Sequence, residues 1–262
     1  MRIFDEPATL NFLARQVRLI NTGKFRRKVD EHMKNLSIRC IVVGDLMTNC
    51  YVLTAAGKEG QNHCWVVDAG MQPEPLLEYL DKSNLTPERI LLTHGHADHI
   101  AGVGDLKQRY PQAILTVPHA EAAMLSDPMM NMSLPFGLHI TAPPPDETIQ
   151  PGDELNLAGL IWKVLDVSGH TPGAVAYYCP ATEIDNPDKN NSTNSTGVVF
   201  TGDALFAGSI GRTDIPGGDH QRLIKNIHEN LLSLPDSTRV LPGHGPETTI
   251  GAERRLNPFL KT

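Results

Sequence analysis

Thr93-His94-Gly95-His96-Ala97-Asp98-His99 is the stretch from which the fold is read. It closes the apolar run Arg89–Thr93, which predicts a short strand. Three histidines and an aspartate then crowd into six residues. Imidazole nitrogens and carboxylate oxygens suit Zn²⁺ and other borderline divalent metals. Two imidazoles separated by one glycine can reach a single ion, because Gly95 lets the backbone turn tightly. Asp98 and His99 are then directed toward a neighbouring position. The plainer alternative is a histidine-rich surface loop.

Three further segments share one layout: an apolar strand, a turn of small residues, then a possible ligand. Ile161–Val167 leads into Ser168-Gly169-His170-Thr171-Pro172-Gly173, Val198–Thr201 into Gly202-Asp203, and Arg239–Leu241 into Pro242-Gly243-His244-Gly245-Pro246. Taken singly, His170 reads as a turn cap, Asp203 as a turn former and His244 as a loop histidine. Taken with the hexad, they supply one more His, one Asp and one His at strand ends. That completes two metal sites.

Around these motifs, Val-, Ile- and Cys-rich runs predict strands at Ser37–Val43, Cys50–Thr54, Cys64–Asp68, Ala113–Val117, Glu154–Leu157 and Ala174–Cys179. Helical spacing predicts helices at Pro73–Lys82, Ile100–Tyr110, His119–Leu125, Gln221–Leu232 and Ala252–Leu256. Strands come in runs, not in strict βαβα alternation. The pattern implies two β-layers face to face with helices outside. Ala181–Gly197, rich in Asn, Ser and Thr, reads as a solvated loop.

Composition narrows the function. Lys and Arg number 23 against 30 Asp and Glu, a net charge of −7, which argues against broad phosphate neutralisation and so against nucleic acid. Aromatics are 5%, too few for base-stacking platforms. No apolar stretch approaches the roughly 20 residues of a membrane helix. Cys40, Cys50, Cys64 and Cys179 form no Cys-x-x-Cys pair and read as small buried hydrophobes. With no apolar segment of signal-peptide type at the start, a cytoplasmic location is expected. Residues 1–36 carry eight Lys/Arg and four Asp/Glu and read as a helical extension before a catalytic domain at 37–262. Translation beginning at Met33 fits the same division.

The four motifs resemble those of the metallo-β-lactamase superfamily, over about Ser37 to Leu260. The resemblance implies a four-layer αββα sandwich, an α/β architecture, with a two-metal centre along one edge. It implies His94, His96 and His170 on a first ion, Asp98, His99 and His244 on a second, and Asp203 bridging. The ions would be zinc, with iron or manganese also accepted by such ligands. No cysteine falls at a ligand position. Two close cations lower the pKa of a water and polarise a carbonyl, with Asp98 orienting the attacking oxygen.

Beyond Asp203, the run Gly208-Ser209-Ile210-Gly211-Arg212-Thr213-Asp214 and the ending Asn257-Pro258-Phe259 are similar to the glyoxalase II-like group, in its short bacterial form. That implies hydrolysis of S-2-hydroxyacylglutathione to glutathione and a 2-hydroxy acid. Arg212 is then expected to clamp a substrate carboxylate, or, more plainly, to pair with Asp214. Alternatives are a mononuclear iron persulfide dioxygenase using His94, His170 and Asp203, a lactone or β-lactam hydrolase, and a non-catalytic scaffold, from which lost ligands would be expected. Asp45 and Asp68 are placed to orient ligand histidines. The methionines at 124, 129, 130 and 132, with Leu134, Pro135 and Phe136, read equally as an apolar wall beside the site and as a surface loop tucked inward.

Overall fold

The computed structural model describes residues 36–55, 62–157, 160–185 and 195–261. The expected extension at 1–36 lies outside these residues, except for Leu36, which already belongs to the first strand and is fully buried.

The first half contains β1 (Leu36–Val43), β2 (Thr48–Ala55), β3 (His63–Val67), α1 (Glu74–Lys82), β4 (Thr86–Leu91), α2 (Ala97–Ile100), α3 (Val103–Arg109), β5 (Ile114–Pro118), a 3-10 segment His119–Ser126 and β6 (Glu147–Ile149). The second half contains β7 (Glu154–Leu157), β8 (Leu160–Asp166), β9 (Val175–Asp185), β10 (Ser195–Gly202), the small hairpin β11 (Leu205–Phe206) and β12 (Ser209–Ile210), α4 (His220–Asn226), β13 (Arg239–Pro242), β14 (Thr248–Thr249) and α5 (Ile250–Leu256). Strands β1 to β6 pair in sequence order as one layer. The other layer runs β7-β8-β9-β10-β13-β14. The layers join where β1 pairs in parallel with β9, Leu36 opposite Ile184.

Alternation along the strands gives each layer two apolar faces. The inner faces meet in one core containing Tyr51, Trp65, Trp162, Tyr177 and Phe200. The outer face of the first layer is covered by α1 and α3 through Leu76, Leu80, Val103 and Leu106. The outer face of the second is covered by α4 and α5 through Leu223, Ile227 and Ile250. Burying each such side chain stabilises the fold by roughly 1.5–3 kcal/mol. Four layers, αββα, follow directly. Among the described residues no helix is long and apolar enough to cross a membrane.

Several elements differ from expectation. β4 stops at Leu91 because the Thr93 N–H and hydroxyl are both taken by Asp68. The helix expected over Ile100–Tyr110 is broken: α2 ends at Ile100 and α3 starts at Val103, and a Cβ on Gly102 between them would strike the Gly70 carbonyl and Pro73. His119–Ser126 is 3-10 instead of α, and α4 ends in a π turn over Ile227–Leu231. The tract expected as loop is partly strand: β9 runs on to Asp185 and β10 starts at Ser195. Of the cysteines, Cys50, Cys64 and Cys179 are buried as expected, whereas Cys40 is exposed.

Candidate metal centre

All seven expected ligands converge at one end of the two layers. The hexad lies between β4 and α2. Asp68, just past β3, accepts the Thr93 backbone N–H with one oxygen (2.8 Å) and the Thr93 hydroxyl with the other (2.8 Å). Since that hydroxyl proton goes to Asp68, the Thr93 oxygen accepts from His94 Nδ1–H at 3.0 Å. The lone pair of His94 is therefore on Nε2, which is buried and has no hydrogen-bond partner. The same Asp68 carboxylate accepts from His99 Nδ1–H at 2.9 Å. One turn of α2 places Asp98 and His99 side by side.

His170 follows β8. A carbonyl can only accept, so His170 Nδ1–H donates to the Arg212 carbonyl (2.8 Å), leaving Nε2 free. That nitrogen lies 2.9 Å from His96 Nδ1. Asp203 follows β10 at Gly202, whose φ of +47° is a left-handed conformation that an L side chain rarely adopts. The other close approach is Gly243, where a Cβ would collide with both Asp203 Oδ1 and His99. His244 comes next, its Nε2 3.1 Å from Asp98 Oδ2, 3.3 Å from His99 Nε2 and 3.5 Å from Asp203 Oδ2.

Three sets of donor atoms are close enough to share an ion: His94/His96/His170, His94/His99/Asp203 and Asp98/His99/His244. Their electrostatics differ. Burial holds His94, His96 and His170 below the ordinary imidazole pKa, His96 down to about 3. These rings are neutral, the state in which a nitrogen donates to a metal. Burial also opposes charge on His99 and His244, but Asp98 and Asp203 outweigh it and raise both. The carboxylates thus draw positive charge to this side, and a divalent cation displaces the protons that otherwise supply it. The unpartnered buried atoms His94 Nε2 and Asp203 Oδ1, with the nitrogen and oxygen donor set, fit divalent metal ions.

The two supporting residues expected from the sequence have different outcomes. Asp68 orients His99, as expected. Asp45 makes no hydrogen bond to a ligand histidine and instead lines the adjacent cavity. A third was not anticipated. Glu121, fully buried in the 3-10 segment, accepts from Gly95 N–H at 2.9 Å and from Gly173 N–H at 2.5 Å. It ties the hexad loop to the His170 loop. The signal available was an acid inside the apolar run Ala120–Leu125. Of the two readings of the Arg212 side chain, the structure shows the pairing with Asp214. Its guanidinium is exposed and doubly bonded to Asp214 (2.9 and 3.0 Å), while its carbonyl orients His170.

A family model described as "Metallo-beta-lactamase superfamily" matches residues 43–184 and 192–244. The chain is 34% identical over 229 residues to "Hydroxyacylglutathione hydrolase GloC" of Haemophilus influenzae, covering 87% of this chain and 99% of the relative. Among solved structures, it is similar to the BLEG-1 B3 metallo-beta-lactamase, with a TM-score of 0.74 and 36% identity over 86% of this chain and all of the other. It is also similar to TTHA1623 in a di-iron-bound form, with a TM-score of 0.68 and 34% identity over 85% of this chain and all of the other.

Proposed function

The chain belongs to the metallo-beta-lactamase superfamily, whose members are metal-dependent hydrolases, and on that premise we propose that it is a two-metal thioester hydrolase. The substrate we infer is an S-2-hydroxyacylglutathione, cleaved to glutathione and a 2-hydroxy acid. One observation carries the two-metal reading. The Asp98/His99/His244 set stands beside His94/His96/His170 as a second complete group of donors. A single-iron reading built on His94, His170 and Asp203 leaves that second group without an occupant. The likeness to GloC supports a glutathione thioester as substrate.

In this reading, His94, His96 and His170 would hold one ion, Asp98, His99 and His244 the other, with Asp203 between them. Zinc is the ion we favour, and the likeness to a di-iron protein keeps iron in view. Bound divalent ions supply Lewis acidity, acidifying a water and polarising the scissile carbonyl. The protein does the rest. Asp68, Thr93 and the Arg212 carbonyl each fix a ring tautomer, so the free nitrogens point inward. Asp98, on the cavity lining, accepts a hydrogen bond from the attacking water and orients it. Water adds to the carbonyl carbon and the C–S bond breaks. The departing sulfur takes up a proton as thiol, and the new carboxylic acid loses one. A thiolate leaves without much help from an acid. Arg212 is assigned to a carboxylate of the glutathione portion. The catalytic domain is assigned to 36–262, with the residues before Leu36 as an extension.

The test is metal-loaded protein with S-lactoylglutathione and, separately, with glutathione persulfide. Thiol release without oxygen uptake is expected. Oxygen consumption with sulfite formation, and no thioester cleavage, would replace the hydrolase by the dioxygenase.

A further inference from the structure

A cavity of about 380 Å³ opens directly onto His96, Asp98, His170 and Asp203. Its other walls are largely apolar: Leu46, Met132, Phe136, Leu138, Ile140 and Ile215. Phe136 is 73% exposed, Leu46 57% and Leu138 42%. Apolar side chains gathered in this way beside reactive groups mark a binding surface more than an incidental patch.

The wall is built to hold its shape. Asn131 is fully buried, and its side-chain amide donates to the carbonyls of Met124 (3.1 Å) and Ile140 (2.8 Å). Its side-chain oxygen accepts from Ser133 N–H at 3.0 Å, and Ser133 Oγ accepts from Ile140 N–H at 3.2 Å. Both ends of the segment 131–140 are thereby pinned to each other. The Asn131 carbonyl also accepts from Ala97 N–H at 2.9 Å, inside the hexad. The wall and the metal-ligand loop are one connected unit.

Charge tells which part of a thioester fits here. Among the described residues lining the cavity, Arg212 is the one cationic side chain, and it is already paired with Asp214. Asp45 adds a carboxylate that belongs to neither ligand group. Arg212 aside, such a surface offers the carboxylates of a tripeptide no cation, whereas a hydrocarbon chain removes its apolar face from water there. We propose that the wall seats the acyl chain of the substrate, so that the enzyme prefers 2-hydroxyacyl groups with long apolar chains to lactoyl. This rests on the thioester-hydrolase reading above. The methyl of a lactoyl group leaves most of the wall uncovered. Chains longer by several methylenes reach along Met132 and Ile140 to Phe136 and Leu138.

The experiment measures kcat/KM of the metal-loaded protein for S-lactoyl-, S-2-hydroxybutanoyl-, S-2-hydroxyhexanoyl- and S-2-hydroxyoctanoylglutathione. Each methylene buried on the wall should raise kcat/KM by about three- to fourfold, on the order of 30-fold or more between lactoyl and hydroxyhexanoyl. Phe136→Ser and Leu138→Ser should flatten that rise, lowering the ratio of the hydroxyhexanoyl to the lactoyl value. A flat or falling series in a protein that cleaves S-lactoylglutathione overturns the acyl-wall proposal and leaves the thioesterase reading intact. A steep series left unaltered by both wall substitutions also overturns it, because the preference would then arise elsewhere. Cleavage of none of the four thioesters overturns the thioesterase reading, and the proposal with it.

Discussion

The two halves of the metal centre are constructed on opposite principles. His94, His96 and His170 are buried and neutral, and their pKa values are pushed down by burial. This group contains no carboxylate of its own. His99 and His244 stand among Asp98 and Asp203, which pull their pKa values up against burial, and His244 is 26% exposed at its side chain. In the proposed centre the first group would recruit a cation by geometry, through rings locked by Thr93 and the Arg212 carbonyl. The second would recruit it by charge. In the proposed two-metal reading, this arrangement would let two like-charged ions lie close together, with the neutralising charge supplied by Asp98 and Asp203.

Asp203 belongs to both halves in this account, so its loss should be the most damaging. Asp203→Asn leaves the shape but removes the negative charge between the two groups. Turnover should fall by at least about a hundredfold, since losing transition-state charge stabilisation at such a centre is worth several kcal/mol. Metal content should fall with it. A variant with normal metal content and turnover would show that the two groups do not depend on Asp203.

Glu121 separates the halves. Its two oxygens accept from Gly95, between His94 and His96, and from Gly173, three residues after His170, so both contacts lie in loops of the first group. In Glu121→Gln, an NH₂ group must face one of those two N–H donors. Affinity at the His94/His96/His170 group should weaken by roughly 10–100-fold, with the other group less affected. Titration of the apoprotein with metal, followed by elemental analysis at each step, reads this directly. Equal weakening of both ions would show that the halves are not mechanically separate.

Arg212 distinguishes backbone from side chain. Arg212→Ala retains the carbonyl that orients His170, so metal content should not change. KM for a glutathione thioester should rise several-fold with kcat less affected. A variant that loses metal would mean that the Asp214 pair positions the carbonyl, and the substrate-clamp assignment would fall. Smallest of all should be the effect of deleting residues 1–32, because every donor of both groups lies in 37–262. Metal content and kcat are expected to stay as in the full chain. A folded truncation without activity would show that the extension contributes to one of the halves.

The sequence carried the centre further than it carried the fold's details. Each ligand motif sits where an apolar strand gives way to small residues, a pattern set by local chemistry and so readable along the chain. What supports the ligands was less accessible. Asp68 reads as an orienting residue from its turn after a strand, but its bond to Thr93, 25 positions on, does not, and neither does Glu121, 52 positions before Gly173. No local pattern links such pairs, which meet only when the layers form. The early end of β4 has the same origin, since the side chain of Asp68, just past the neighbouring β3, takes the N–H of Thr93. The extension of β9 and β10 into a polar tract reflects pairing of Ser195 and Thr196 with Glu183 and Thr182, which overrides weak local strand preference. The methionine-rich segment was ambiguous because its order comes from one buried amide, Asn131, whose partners lie up to nine residues away.

The most direct test of the account is metal stoichiometry measured together with activity. Apoprotein is reconstituted with zinc, and separately with iron under anaerobic conditions. Ions per chain are then counted at each level of thioesterase activity. Seven converging donors with Asp203 shared predict two ions per chain at full activity, and a half-loaded protein markedly below it. Full activity at one ion per chain would contradict the two-metal centre.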